Sequence, residues 1–429
     1  MNRIHRALLA SALAAPVALA ASTTVAQPFP PFTNPTNITN PFYPVSNTKQ
    51  AITLGVDAGD EFRSEVTLLP ATLAITWAGG TTQARISQYV AYKAGNLVEV
   101  AYDYFAQADN GDLYYFGEDV FNYTDGVVAN TNGTWRAGRD GAPPGLIMPA
   151  HPTVGQVFHP ENFRPVVFEE DTVVSLMQPT STPFGPIANG LLIHELLLDG
   201  TEELKTYAAG FGQVEHSETD ASSHLAFLSR NDAPIGRVPG NLDAIDTLAE
   251  GVLDTLPNWT RVRNRALQIT RRWNAYRSQA VAAGAPPEFV TAMGTLVGQL
   301  SAAAQNRNLV AATEAAYDMR NVAVDLMNVH NPRVPADVKR LQVLEREFIG
   351  AVRAGDWTEA RLFHARAADA VWGRVRPFLL ARPDGPELAA ELDALFANQS
   401  AAIGGHRAAE ALDAAREVLD AAEEMEARF

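Results

Sequence analysis

Histidines and neighbouring carboxylates are the side chains of this sequence whose types and spacing bear most directly on chemistry. His406 and Glu410 stand at i,i+4, with Asp413 and Glu417 further along the same predicted helix. Such an imidazole–carboxylate face can hold a metal in a helical bundle. No second helix supplies a Glu-x-x-His pair, so a solvated helix face is the simpler reading. His194-Glu195 does not open a zincin motif, because Leu198 occupies the position of the second ligand. His216 and His224 invite a metal reading. With a hairpin turn at Thr219 to Ser222, however, residue 216 would pair with Leu225 and residue 217 with His224, so the two imidazoles would face opposite sides of a sheet. His216 then reads as a buried, hydrogen-bonded histidine. His330, just before Asn331-Pro332, suits a helix C-terminus, and His364 has no acidic partner one turn away.

The carboxylates allow three readings. Asp109-Asn110-Gly111-Asp112, with Asp103 nearby, offers oxygen ligands for calcium but lacks the rest of an EF-hand loop. An Asn-Gly hairpin turn accounts for it with fewer assumptions. Glu118 with Asp119, and Glu169 with Glu170 and Asp171, could contain the carboxylate pair of a hydrolase if two of them faced one pocket. No G-x-S-x-G, P-loop or dinucleotide fingerprint is present. Cysteine is absent, which excludes disulfides, thiolate metal sites, a cysteine nucleophile and a lipoprotein anchor. A net charge of -16 argues against nucleic acid as a partner. Neither pattern identifies a cofactor.

In the 429 residues, three territories follow a leader. Residues 1–26 read as a signal peptide, with Arg3 and Arg6 ahead of an Ala/Leu-rich run and small-residue cleavage sites after Ala20 or Ala26. No later apolar run is long enough for a transmembrane helix. Residues 27–47 form a Pro/Asn-rich arm that is held extended by its prolines. Residues 48–230 alternate as strands divided by Gly, Asn and Asp turns, which predicts an antiparallel sheet that is curled, a half-barrel or a sandwich. A turn-rich linker, 231–240, leads to Ala/Leu/Glu/Arg helices, with Pro257, Pro287, Pro335 and Pro386 near helix starts.

The helical half carries a repeat. Trp259 and Arg263 recur as Trp357 and Arg361, and Trp273 and Arg277 as Trp372 and Arg376. Pro287-Glu288 recurs as Pro386-Glu387, and Ser301-Ala302-Ala303 as Ser400-Ala401-Ala402. This predicts a duplicated all-α bundle, 241–333 and 334–429, with four helices in each copy. In the second copy Pro377 would kink or end a helix. The Trp/Arg pairs are i,i+4 neighbours and read as packing elements, with indole–guanidinium contact expected.

The β-territory resembles an uncharacterised family of exported bacterial proteins. Asn40-Pro41-Phe42-Tyr43-Pro44 is similar to that family's opening motif. Tyr104-Phe105-Ala106-Gln107 through Tyr115-Phe116-Gly117-Glu118-Asp119 resembles its aromatic core, and Gly133-Thr134-Trp135-Arg136-Ala137-Gly138-Arg139-Asp140-Gly141 resembles its signature. Pro144 to Ala150 and the Tyr207-to-Val214 hairpin continue the likeness, although the opening strand is not clear in Ser46 to Gly55. The resemblance implies export and brings no activity.

Tyr115, Glu118, Trp135, Arg136 and Asp140 are the candidate pocket residues, with a tied-down loop as the competing reading. The function expected is a non-enzymatic ligand- or partner-binding or scaffold protein, periplasmic or extracellular, for a small molecule or another protein. Metal binding or storage and a carboxylate-dependent hydrolase are the alternatives.

Overall fold

A computed structural model describes residues 29–429; the predicted signal peptide lies outside them. Fourteen strands form one antiparallel sheet. β1 (Thr48–Asp57), β2 (Asp60–Trp77), β3 (Gly80–Lys93), β4 (Asn96–Gln107), β5 (Leu113–Thr124) and β6 (Val127–Asn130) follow one another as hairpins. On the other side of β1 the order runs β14 (Ala221–Arg230), β13 (Gly212–Ser217), β12 (Glu202–Ala208), β11 (Gly185–Leu197), β10 (Val167–Thr182) and β9 (Val157–Phe163). The short β7 (Trp135–Arg136) and β8 (Gly145–Met148) both pair with β5.

The sheet curls without closing. Leu68, Phe105, Tyr115 and Trp135 from one end share a buried cluster with Phe158, Val173, Ile193 and Tyr207 from the other. Gly145 on β8 lies so close to β9 that a Cβ there would stand 1.7 Å from the Pro160 carbonyl oxygen. The arm takes part in this packing. Asp109 and Gln107 donate backbone N–H groups to the carbonyls of Pro31 and Pro35, and Ile38 is buried. Phe32 packs edge-on against Trp77, Tyr114 and Phe116, while Tyr43 reaches the interior between Phe105 and Tyr207.

The helices are α1 (Gly240–Thr255), α2 (Trp259–Ala282), α3 (Pro287–Asn306), α4 (Leu309–Asn328), α5 (Ala336–Ala354), α6 (Trp357–Ala365), α7 (Gly373–Leu380), α8 (Gly385–Gly404) and α9 (Ala408–Arg428). A π-helical stretch, Arg366–Trp372, joins α6 to α7 in one rod. Asn258, Asn308 and Asp356 cap α2, α4 and α6 by accepting backbone N–H groups. Pro287 sits in the first turn of α3, where its missing donor costs little. α7 continues through Pro377 to Leu380, so the proline does not end this rod. One apolar core is enclosed by α1–α4, and two further clusters lie among α5–α9.

The Trp/Arg contacts differ from expectation. Among the described residues no arginine lies over an indole; the guanidiniums that stack do so on Phe or Tyr. Trp372 and Arg376 instead donate to one acceptor, Asp393. Trp273 and Trp372 are core residues, as packing elements should be.

The outer face of the sheet packs on the helices. Ile52 and Phe227 enter the α1–α4 core, and Val90, Tyr92 and Val100 meet Ala365 and Ala370. Between them lies a closed charge network. Arg63 of β2 forks onto Asp325 at 2.8 and 2.9 Å and reaches Glu65 at 2.7 Å. Arg340 reaches Asp325 at 2.6 Å, and Arg374 bridges Asp337 at 2.8 Å and Glu65 at 2.7 Å. Burial alone would raise the Glu65 carboxyl, but Arg374, Arg63 and Arg340 hold it well below the usual carboxylate range.

Candidate functional site: an acidic interior in the curled sheet

Alternation along a strand would place Tyr115 and Glu118 on opposite faces. The structure places them on the same one. Asp103 pairs with Glu118 and Phe105 with Tyr115, so Tyr104 of β4 faces two residues, Phe116 and Gly117. This one-residue bulge shifts the phase of β5. Gly117 makes it feasible: its φ is +112°, and a Cβ would stand 2.3 Å from the Trp135 carbonyl oxygen of β7.

Tyr115, Glu118 and Trp135 therefore converge inside the sheet. Tyr115 donates its hydroxyl to Asp103 at 2.7 Å, and the Trp135 indole donates to Glu161 of β9 at 2.7 Å. The neighbouring Glu118 and Glu161 carboxyls are both raised above the usual range, chiefly by burial. Arg136 lies on the other face, where it pairs with Asp119 and stacks on Tyr104. Asp140 is exposed in the turn that follows. Of the five candidates, three meet in the interior and two lie elsewhere.

Sequence spacing could not reveal the rest of this interior. Asp171 of β10 pairs with Glu195 of β11, and Glu195 pairs with Glu203 of β12. One step beyond the Leu204–Ser217 pair, Glu203 faces Glu218 after β13. Four carboxylates thus form a lateral row across neighbouring strands, where directly opposed like charges are destabilising. Glu169 joins the buried end: its carboxylate oxygens lie within 4.8 Å of those of Asp171 and Glu195. Lys205 is the ammonium set among them, 2.5 Å from Glu195 and 3.6 Å from Glu203. His216 adds an imidazole 3.2 Å from Glu203.

The electrostatics follow from this crowding. Burial, then Glu195, pushes Asp171 up to about 9. Asp103 is pushed up to about 7, chiefly by burial and against the Tyr115 hydrogen bond. Glu169 and Glu118 are raised well above the carboxylate range by burial, with Glu195 adding to the first and Asp103 to the second. Glu203 behaves in the opposite way. Burial would raise it, yet the His216 hydrogen bond and Lys205 bring it down to about 2. The Asp171 Oδ1 atom is buried without a hydrogen-bond partner.

His224, His330, His364, His406 and the Asp109–Asp112 turn are engaged structurally. His330 meets the Tyr276 hydroxyl at 2.8 Å, His364 meets Gln399 at 3.0 Å, and His406 stacks on Trp357. Glu410 pairs with Arg407. His224 reaches Glu288 at the start of α3. Asp109 accepts from Thr33 and Asp112 from Ala150, so these carboxylates tie down the arm and the end of β8. The β13–β14 register pairs His216 with Ser223 and Glu215 with His224, two residues away from the expected pairing; the imidazoles still project to opposite faces. On the helix-facing side of the same strands lies a cleft of about 640 Å³, lined in part by Leu54, Leu192, Leu204 and Thr206.

No family model, curated protein or solved structure matches this chain.

Proposed function

We propose that this chain is an exported, non-enzymatic binding protein, periplasmic or extracellular, whose curled sheet takes a cationic ligand. The carrying observation is the row Asp171, Glu195, Glu203 and Glu218 beside Lys205. Burying that many carboxylates with one ammonium disfavours ionisation, and Asp171 and the neighbouring Glu169 respond by holding protons. A bound cation would hold the same groups ionised and recover their mutual attraction to it. This joins the binding and metal-binding readings of the sequence. The recurring Trp, Arg and Pro positions support a duplicated helical unit whose role is to brace the sheet. The resemblance to exported bacterial proteins supports export.

The test is thermal denaturation of chelator-treated protein with Ca2+, Mn2+, Zn2+ or spermidine at constant ionic strength. A ligand at a hundred times its Kd stabilises the native state by about 2.7 kcal/mol. A rise in Tm with at least one cation, abolished by a double Asp171→Asn/Glu203→Gln variant, is the expected result. An unmoved Tm with all four sinks the reading.

A further inference from the structure

We propose that Glu203, His216 and Glu218 form a zinc-type divalent metal site at the accessible end of the carboxylate row. The proposal rests on the cation-binding reading of the same sheet face and names the class of ion and its ligands.

The three residues come from β12, β13 and the turn after it, and their ligand atoms lie within 4.8 Å of one another. The separation of His216 Nε2 from Glu203 Oε2 is 3.2 Å. Two ligands bound at about 2.1 Å around a tetrahedral ion stand about 3.4 Å apart, so this pair already has nearly the required spacing. Glu203 is directly opposite Glu218 across the strands, an arrangement that repels unless a cation lies between them. Among the described residues the Glu218 carboxylate has no ion-pair partner. Its backbone N–H donates to Ala221, which fixes the turn that carries it.

Ligand chemistry selects the ion. One imidazole nitrogen and two carboxylate oxygens suit Zn2+ and its neighbours; Ca2+ takes six to eight oxygens and Mg2+ an oxygen octahedron. Three protein ligands also leave a coordination position open to water or a bound molecule. The site is reachable, because all three residues are partly exposed, unlike Asp171 and Glu195. Lys205, 2.5 Å from Glu195 and 3.6 Å from Glu203, stands between this site and the buried carboxyls behind it.

The experiment uses the full chain, stripped by chelator and titrated with Zn2+ by calorimetry, with Co2+ absorption as the geometric readout. The expected result is one Zn2+ per chain and a tetrahedral Co2+ spectrum. His216→Ala and Glu218→Gln should each weaken binding at least tenfold, with circular dichroism unchanged, while His224→Ala, on the opposite face of the sheet, binds as the parent does. Glu218 lies in a turn, so its variant tests the site even if the strand variant misfolds. Absence of Zn2+ binding, or binding undiminished in both variants, overturns the proposal. Zn2+ binding lost in Asp171→Asn but kept in His216→Ala would overturn it while leaving the cationic-interior reading intact. If no cation of any kind binds, both readings fail.

Discussion

Burial alone would lower the Lys205 ammonium, but the interior carboxyls, Glu195 and then Glu169, push it well above the usual lysine range. It therefore stays protonated throughout the neutral range. Lys205→Met would leave Glu195, which is 1% exposed, without its ion-pair partner. Removing one member of a buried pair typically costs about 3–5 kcal/mol. Urea denaturation at pH 8 should show a loss of that size. A loss of about 1 kcal/mol or less, the size of an exposed ion pair, would mean that Lys205 does not hold Glu195 in place. At Gly117, alanine would meet both a positive φ and the β7 backbone. Gly117→Ala should cost at least about 2 kcal/mol and should shift the Trp135 fluorescence, because β7 must move.

The elements that set the interior are β5 and the arm. The bulge in β5 turns Tyr115 and Glu118 to one side, and Phe116 and Asp119 to the other. The second group builds an aromatic outer face, with Phe32 of the arm sealing Trp77 and Phe116. Deleting residues 27–47 would expose that face and withdraw Tyr43 from between Phe105 and Tyr207. The truncated chain should bind a hydrophobic dye in its native state and melt at a lower temperature. Unchanged melting would show that the arm contributes nothing to the sheet. Much of β5 was legible as a strand, and Gly117 was visible within it. Its role as a bulge was not, since the need for that glycine arises from the close approach of β7.

Across the whole molecule, the charge network of Arg63, Glu65, Asp325, Asp337, Arg340 and Arg374 joins sheet to helices. Two tethered modules would melt separately. Here intrinsic fluorescence, from Trp77 and Trp135 in the sheet and four tryptophans in the helices, and helical circular dichroism should follow a single unfolding curve, and Arg374→Met should split or lower it by removing one guanidinium partner of Glu65 and the nearest one of Asp337. Stability should also depend on pH in an unusual direction. Asp103 titrates at about 7, Asp171 at about 9, Glu345 at about 8 and Glu347 at about 7, each raised chiefly by burial. Between the unfolded carboxylate value near 4 and these folded values the native state binds more protons than the unfolded chain, so stability falls as pH rises. The partly exposed His330 and His364 are lowered by burial and act oppositely below about 6.5, but they are fewer. Tm should therefore be higher by roughly a few degrees at pH 6 than at pH 9; a flat or rising profile would contradict the buried-carboxyl arrangement.

By itself, the sequence determined the order of a strand-built half and a helix-built half. Period-two alternation with turn residues, and helical periodicity with prolines and caps at the ends, are local signals that need no knowledge of partners. It also marked Tyr115, Glu118 and Trp135, because their motif carries aromatic and acidic residues close together. Tertiary structure alone decided that Arg136 and Asp140 stand apart from them, because a bulge and a left-handed turn reset the phase of the chain. It alone decided that Asp171, Glu195, Glu203 and Glu218 form a row. These residues come from successive strands and the turn after β13, and no spacing within one segment encodes the register that aligns them. That alignment is a property of cross-strand pairing, and it turns scattered acids into one site.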